Sequence, residues 1–331
     1  MKKIFTLITI LVTTAVSSTA HQGNMTFAGK SKLSVSMGDT QMFDTESASD
    51  TVIYSGSDFV FPSMKYENMV IPSFTVKGTQ FTGDHSGVMW EDQTWTATTT
   101  DASGTEKTFT GSSLQGKFSH EDGIYKLTLK ITFKYGLMPM PITYEIEGYY
   151  VKPTVNELSM LVGGSFGPYT NSSVTYDARK YIEDGITKLD VKIHEHTLPA
   201  TVMGDITMGE YTVRGLVYDD EKAGFYRDYS QDGITFHFKT SQGLDNDYGF
   251  DKGGNLLVKM NGADITYAVN SFQPGSMPFP IVATFGSNDA TSISMPSVDA
   301  QTDKPKKYFS NGKIVISKNG KKYTTTGIIL K

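Results

Sequence analysis

Few residues of this sequence combine the types and the spacing that metal binding requires. His194-Glu195-His196 places two imidazoles two residues apart, and on a strand they would face the same side, where they could ligate zinc. A third ligand is missing nearby, so we expect exposed histidines on an edge or loop. Residues 245–251 (Asp-Asn-Asp-Tyr-Gly-Phe-Asp) alternate oxygen ligands of the kind that bind Ca²⁺, but Leu256 stands where a calcium loop carries glutamate. We therefore predict a polar hairpin loop there, and neither a metal nor another cofactor.

Catalytic patterns are equally weak. Glu145 and Glu147 lie two residues apart on a predicted strand and resemble a carboxylate pair, although solvent-facing residues of a sheet explain them more simply. The full glycine patterns of dinucleotide-binding and P-loop proteins are absent. We expect the protein not to be an enzyme.

Aromatic residues are the better candidates for a binding site. The two tryptophans, Trp90 and Trp95, lie close together before a threonine-rich strand, and a second group follows much later in the chain: Tyr218, Phe225, Tyr226 and Tyr229. Ring faces of this kind stack on sugars or line apolar pockets. Packing inside the core is the alternative use of the same residues.

The elements that must position these residues are strands. Thr, Val, Ile, Tyr and Phe alternate with polar residues along most of the chain, as in Ile124–Ile131, where Tyr125, Leu127, Leu129 and Ile131 share one face. Turn dipeptides such as Asp232-Gly233 and Asn261-Gly262 separate the alternating segments. The predicted fold class is all-β, with short antiparallel strands in a barrel or a sandwich.

Predicted strands fall in two series. The first consists of 33–37, 51–54, 58–61, 73–77, 94–99, 105–110, 114–119, 124–133 and 142–151. The second consists of 174–176, 189–194, 211–218, 224–229, 234–239, 256–260, 264–269 and 281–285.

Two segments recur in the same order and at nearly the same offset. Phe74-Thr75-Val76-Lys77-Gly78 returns as Tyr211-Thr212-Val213-Arg214-Gly215, 137 residues later, and Met138-Pro139-Met140-Pro141-Ile142 returns as Met277-Pro278-Phe279-Pro280-Ile281, 139 residues later. This internal similarity predicts a duplicated domain, with a boundary near Pro153 between a strand that ends at Val151 and one that begins near Leu158.

The N-terminus has the layout of a secretory signal peptide. Met-Lys-Lys precedes an apolar run from Ile4 to Val16, and small residues follow up to Ala20, after which we predict cleavage. The apolar run is shorter than the ~20 residues that span a bilayer, so we expect no transmembrane segment in the mature protein. The chain has no cysteine, which excludes disulfides, thiol catalysis and a lipid anchor on cysteine.

Charge is divided unevenly along the chain. Residues 304–331 hold eight lysines and no acidic residue, whereas residues 21–303 hold 20 basic and 35 acidic side chains. An acidic body does not attract nucleic acid, and we expect no nucleic-acid partner. The lysines of the tail flank a predicted hairpin, Lys313–Ser317 and Lys321–Thr326, where they protect an edge from aggregation.

Several segments resemble the calycin-like, or lipocalin-like, β-barrel domains of exported proteins of Bacteroides and their relatives. They are Leu33–Met37, Ile71–Gly78 and the late pair Gly123–Lys134 with Met138–Gly148. The resemblance implies tandem antiparallel barrels whose interiors hold a small apolar ligand. The tail Lys307–Tyr323 is similar to the C-terminal sorting endings read by the type IX secretion system, although it is shorter than a full sorting domain.

These observations predict a signal peptide (1–20), a first barrel (21–152), a second barrel (153–286), a linker (287–305) and a hairpin tail (306–331). The expected location is the periplasm, the outer-membrane surface or the extracellular space. Two functions stay open: a non-enzymatic envelope protein that binds a small apolar molecule or a glycan, or a structural or adhesive surface protein with solid barrels. The ligand and the oligomeric state are not predicted.

Overall fold

The structure is a computed structural model in which strands and the turns between them account for the whole described chain. It describes residues 24–38, 40–67, 69–84, 87–121, 123–136, 139–250, 252–275, 277–287, 306–310, 313–318, 321–324 and 329–330. No helix occurs in these residues, so the predicted all-β class is confirmed, and nothing in them could cross a membrane as a helix. The predicted signal peptide and nearly all of the linker lie outside the described residues.

The first part of the chain forms strands β1 (Met25–Met37), β2 (Thr40–Ser55), β3 (Asp58–Phe61), β4 (Met64–Tyr66), β5 (Met69–Ile71), β6 (Phe74–Val76), β7 (Thr82–Asp84), β8 (Gly87–Trp90), β9 (Trp95–Thr100), β10 (Glu106–Glu121), β11 (Ile124–Phe133) and β12 (Ile142–Val162). Two predicted strands, 105–110 and 114–119, are one strand, β10.

The second part forms β13 (Phe166–Glu183), β14 (Ile186–Ile193), β15 (His196–Thr201), β16 (Gly204–Met208), β17 (Tyr211–Asp219), β18 (Gly224–Asp228), β19 (Thr235–Thr240), β20 (Asp245–Gly249), β21 (Gly254–Asn261), β22 (Asp264–Phe272) and β23 (Ile281–Gly286). β15, β16, β19 and β20 form a small separate sheet.

Eight strands of the first part pair antiparallel in a closed cycle, which we call the N-terminal ring. The ladder runs from β1 through β2, β3, β6, β9, β10 and β11 to β12. β12 then pairs with β1, from Val35 opposite Ile142 to Thr26 opposite Val151. Each strand therefore has one face inside the ring and one face toward solvent.

A second closed cycle, the C-terminal ring, runs from β12 through β13, β14, β17, β18, β21 and β22 to β23. β23 returns to β12, with Phe285 opposite Leu158 and Ile281 opposite Val162. The two rings thus use different parts of the same strand.

The path of β12 differs from the sequence-based expectation. The strand continues through Pro153, where we expected a break between two strands. Pro153 lies after the last β1 pairing at Val151 and before the first β23 pairing at Leu158. A residue without an N–H is tolerated at such a gap between ladders. The domain boundaries stay predictions.

The repeated segments occupy equal positions in the two rings. Phe74 begins β6 and Tyr211 begins β17, and each is the fourth strand of its ring in chain order. Ile142 begins β12 and Ile281 begins β23, each the eighth strand. These positions agree with a duplication, which stays a prediction.

Each ring encloses its own set of buried side chains. The N-terminal ring is filled largely by aromatic rings, and Phe74 contacts Trp95, Phe109 and Phe133. The C-terminal ring packs Tyr176 against Phe285 at a centroid distance of 4.1 Å. The alternation of β11 is confirmed, because Leu127, Leu129 and Ile131 are all buried.

The C-terminal segment forms a separate unit and is described by its backbone. Strands β24 (Lys306–Ser310), β25 (Lys313–Lys318), β26 (Lys321–Thr324) and β27 (Ile329–Leu330) pair antiparallel in chain order. The hairpin predicted from the sequence corresponds to β25 and β26.

Candidate functional site

The predicted aromatic site of the N-terminal ring is part of its core. Trp95 is 6% exposed, and its Nε1 donates to the carbonyl oxygen of Ser113 over 2.9 Å. Trp90 is 2% exposed and packs against Tyr54, Phe59 and Phe81. Neither indole offers a free face for stacking on a ligand, so the core-packing alternative describes both residues.

The four aromatic residues of the C-terminal ring do not form one surface. Tyr229 is fully buried, and its hydroxyl donates to Asn270 Oδ1 over 2.7 Å. Phe225 is buried and meets the exposed ring of Tyr218 edge-on, while Tyr226 lies under the ammonium of Lys222. These residues are close in sequence, which suggested a cluster, but side chains alternate between the two faces of β17 and β18, so the four rings do not point to the same side.

Burial decides the outcome for the histidine pair. His194 lies after the end of β14 and contacts Asp177 Oδ2 through Nε2 at 2.7 Å. His196 is 7% exposed, and its Nδ1 lies 2.9 Å from the carbonyl oxygen of His194. Burial lowers the pKa of His196. The expectation of two exposed histidines is therefore wrong for His196, because this residue begins β15 with its side chain inward.

The acidic segment 245–251 contains a strand where we expected a loop. Asp245 and Asp247 lie on one face of β20 and hold His237 between them, with Nε2 3.0 Å from Asp245 and Nδ1 2.8 Å from Asp247. The Asp247 hydrogen bond, followed by the Asp245 charge, raises the pKa of His237. No cluster of three metal-ligating side chains occurs in the described residues.

Gly163-Gly164-Ser165-Phe166-Gly167 has the spacing of a nucleophile elbow, which the sequence reasoning overlooked. An elbow needs a sharp turn from a strand into a helix. Here Ser165 lies in the turn between β12 and β13, and its N–H donates to the carbonyl oxygen of Val162 over 3.3 Å. The motif therefore lacks the context that would activate its serine.

A groove of about 1000 Å³ runs from β2 across β1, β12, β11 and β10 of the N-terminal ring to β8, which pairs with β10. The residues that line the groove form three neighbouring rows across the strands, and each row, or register, consists of residues that lie opposite one another on paired strands. The middle register joins Ser47, Ser31, Ile146, Leu129, Gly116 and Trp90. The large side chains of this register are buried inside the ring, so their backbone forms the floor of the groove.

The flanking registers point to solvent, because side chains alternate between the faces of a strand. The first row consists of Lys30, Glu147, Thr128, Lys117 and Met89. The second row consists of Glu46, Lys32, Glu145, Lys130, Gln115 and Glu91. We call the space between these rows the cross-strand groove.

Ion pairs neutralise the centre of the groove. Glu145 contacts Lys130 at 2.7 Å, and Glu147 contacts Lys126 at 2.8 Å. The two glutamates singled out in the sequence are therefore solvent-facing, as expected, and both are held by lysines. Because these pairs connect neighbouring strands, they also fix the side chains that border the groove.

Comparison with known protein families gives a match for one of the two rings. Residues 157–288 match the calycin-like beta-barrel domain family. The matched segment begins within β12, covers the other strands of the C-terminal ring and extends two residues past the second domain expected from the sequence, 153–286. The match therefore lies in the C-terminal ring, whereas the segments that carried the resemblance, such as Leu33–Met37 and Ile71–Gly78, lie in the N-terminal ring.

A crystal structure of a "putative outer membrane protein" from Bacteroides fragilis NCTC 9343 is also similar to this chain. It is 16% identical and covers 80% of this chain and 97% of its own, with a TM-score of 0.26. The search of curated proteins gave no match.

Proposed function

We propose that the protein is an exported, non-enzymatic binding protein of the bacterial envelope that holds a glycan in the cross-strand groove. The observation that carries the proposal is the groove itself. Its volume, about 1000 Å³, lies at the upper end of the range for ligand sites. Its border residues are mostly charged or polar, while most of the surface that they turn toward the groove is carbon, a mixture that suits the hydroxyls and the C–H faces of a sugar.

The interiors of both rings are filled with side chains, which argues against a small apolar ligand inside them. Inward-facing residues of the N-terminal ring such as Phe59, Leu114 and Ile131 have no exposed surface. The same holds for Leu189, Val213 and Leu256 in the C-terminal ring. An apolar ligand would have to displace packed side chains, whereas a glycan on the outer face displaces only water.

Filling the groove tests this function. Thr128 stands at the centre of the first row, and Thr132 lies on the same strand and face but outside the groove. We expect Thr128→Trp to abolish binding on an array of bacterial capsular and lipopolysaccharide glycans, and Thr132→Trp to bind like the unaltered protein. Circular dichroism of both variants checks that they fold.

Two results would overturn the proposal. One is the absence of any glycan binding by the unaltered protein. The other is equal binding by both tryptophan variants. Either result would favour the second candidate function, a structural or adhesive surface protein, which the filled interiors of both rings support. Enhanced fluorescence of N-phenyl-1-naphthylamine, an apolar probe, would instead favour an apolar ligand.

A further inference from the structure

We propose that the cross-strand groove selects glycans that carry both anionic and cationic groups. This inference rests on the proposed function and deepens it by naming the ligand class. Its basis is the distribution of unpaired charge, which differs in sign between the two rows that border the groove.

The first row has unpaired cations. Lys30 and Lys117 are exposed and make no ion pair within 4 Å among the described residues. Lys30 acts only through space on Glu183, whose carboxylate is already bound by Lys188 at 2.8 Å. The glutamate of this row, Glu147, is neutralised by Lys126. The first row therefore presents two positive charges to a ligand.

The second row has unpaired anions. Its two lysines are occupied, since Lys130 binds Glu145 and Lys32 binds Asp44 at 3.0 Å. Glu46 and Glu91 are exposed and make no ion pair within 4 Å among the described residues. This row presents two negative charges, at its two ends.

The spacing of the rows suits a single extended sugar chain. Residues of the two rows are two positions apart on each strand, so the rows are separated by about 7 Å. Lys30 and Lys117 are three strands apart, which places them about 14 Å from each other along the groove. A chain lying across the strands would meet cations along one side and anions along the other.

The rest of the molecule disfavours the simpler ligands. The body of the chain is acidic, with 20 basic and 35 acidic side chains between residues 21 and 303, and it repels a purely anionic polymer. A purely cationic polymer would be attracted to the whole surface and not to the groove in particular. Only a ligand with both charges uses both rows.

Four soluble polymers test the inference with the full chain: dextran (neutral), carboxymethyl dextran (anionic), glycol chitosan (cationic) and carboxymethyl chitosan (both charges). We expect carboxymethyl chitosan to bind most tightly and to weaken as salt is raised. The double variant Lys30→Gln/Lys117→Gln should weaken this binding about tenfold, roughly what two exposed ion pairs contribute. Lys77→Gln/Lys107→Gln, outside the groove, should not.

The second row has its own variant. Glu46→Gln/Glu91→Gln should also weaken carboxymethyl chitosan about tenfold, as for the first row, and should improve carboxymethyl dextran. Glu106→Gln/Glu121→Gln is the matched control on β10. Dextran binding as tight as that of carboxymethyl chitosan would overturn the charge selection and leave the glycan site standing. No binding of any of the four polymers would overturn both.

Discussion

Asp190 is a buried acidic residue whose removal should destabilise the C-terminal ring. The residue is 4% exposed, and its carboxylate accepts from Arg179 Nη2 at 2.5 Å, from the Gly215 N–H at 2.8 Å and from the Tyr181 hydroxyl at 3.2 Å. Arg179 also donates to the carbonyl oxygen of Ala28 in β1 over 3.2 Å. One buried anion therefore organises three donors at the junction of the two rings.

The magnitude follows from what the substitution leaves behind. Asp190→Ala strands the guanidinium of Arg179, whose side chain is 16% exposed, without its counterion. Breaking a buried ion pair from one side costs about 3–5 kcal/mol. Because Arg179 keeps some solvent access, we expect about 3 kcal/mol of lost unfolding free energy. The double variant Arg179→Met/Asp190→Leu should lose less than the sum of its single variants.

Urea unfolding measures this loss with two probes. Far-ultraviolet circular dichroism follows all strands, while fluorescence follows Trp90 and Trp95, which lie only in the N-terminal ring. Glu210→Gln is the control, because its ion pair with Lys192 is solvent-exposed and worth about 0–1 kcal/mol. An Asp190→Ala loss no larger than that of Glu210→Gln, or strict additivity in the double variant, would refute the reasoning.

Two further predictions concern packing and pH. Gly111→Ala should lower the free energy of unfolding in urea by about 1–3 kcal/mol, because the added Cβ would lie within 3 Å of the Trp95 indole. The control Ser112→Ala, on the exposed face, should lower it little. Equal losses in the two variants would contradict this prediction. Histidine titration by NMR should give His237 a pKa above the ordinary value and His196 one below it. Since the folded pKa of His237 is raised, the contribution of His237 to stability is complete below its unfolded pKa and is lost as pH rises through its folded pKa. If the pKa of His237 is ordinary in Asp247→Asn and raised in the unaltered protein, Asp247 is the main cause of the shift. An ordinary pKa of His237 in the unaltered protein would contradict the prediction.

Local patterns were enough to find most strands. The predicted bounds 58–61 and 124–133 coincide with β3 and β11 because turn dipeptides and a clean two-residue alternation define both. The outer half of β2 escaped prediction because its residues are exposed on both faces, so no alternation marks them. β10 was divided in two at residues 111–113, although the strand is continuous there and Gly111 makes room for the indole of Trp95.

The groove could not be predicted from the sequence, because local alternation gives no information on the pairing of strands. Alternation shows that Lys117, Glu145 and Glu147 face solvent, but Lys30 precedes the first predicted strand, and alternation does not show which strands are neighbours. Trp90 and Trp95 show a second limit, because a sequence does not distinguish a tryptophan that packs inside a ring from one that faces a ligand.

The sequence by itself determined the all-β class, most strand positions and the acidic body, since these depend on residue type and on periods of two residues. The equal order and nearly equal offset of the two repeated segments were visible as well, but their places in the two rings were not. Only the tertiary structure decided which strands pair, that β12 serves both rings, and which charges stand side by side across the groove. Those outcomes depend on register between strands far apart in the chain, and register is set by the packing of two closed rings as a whole.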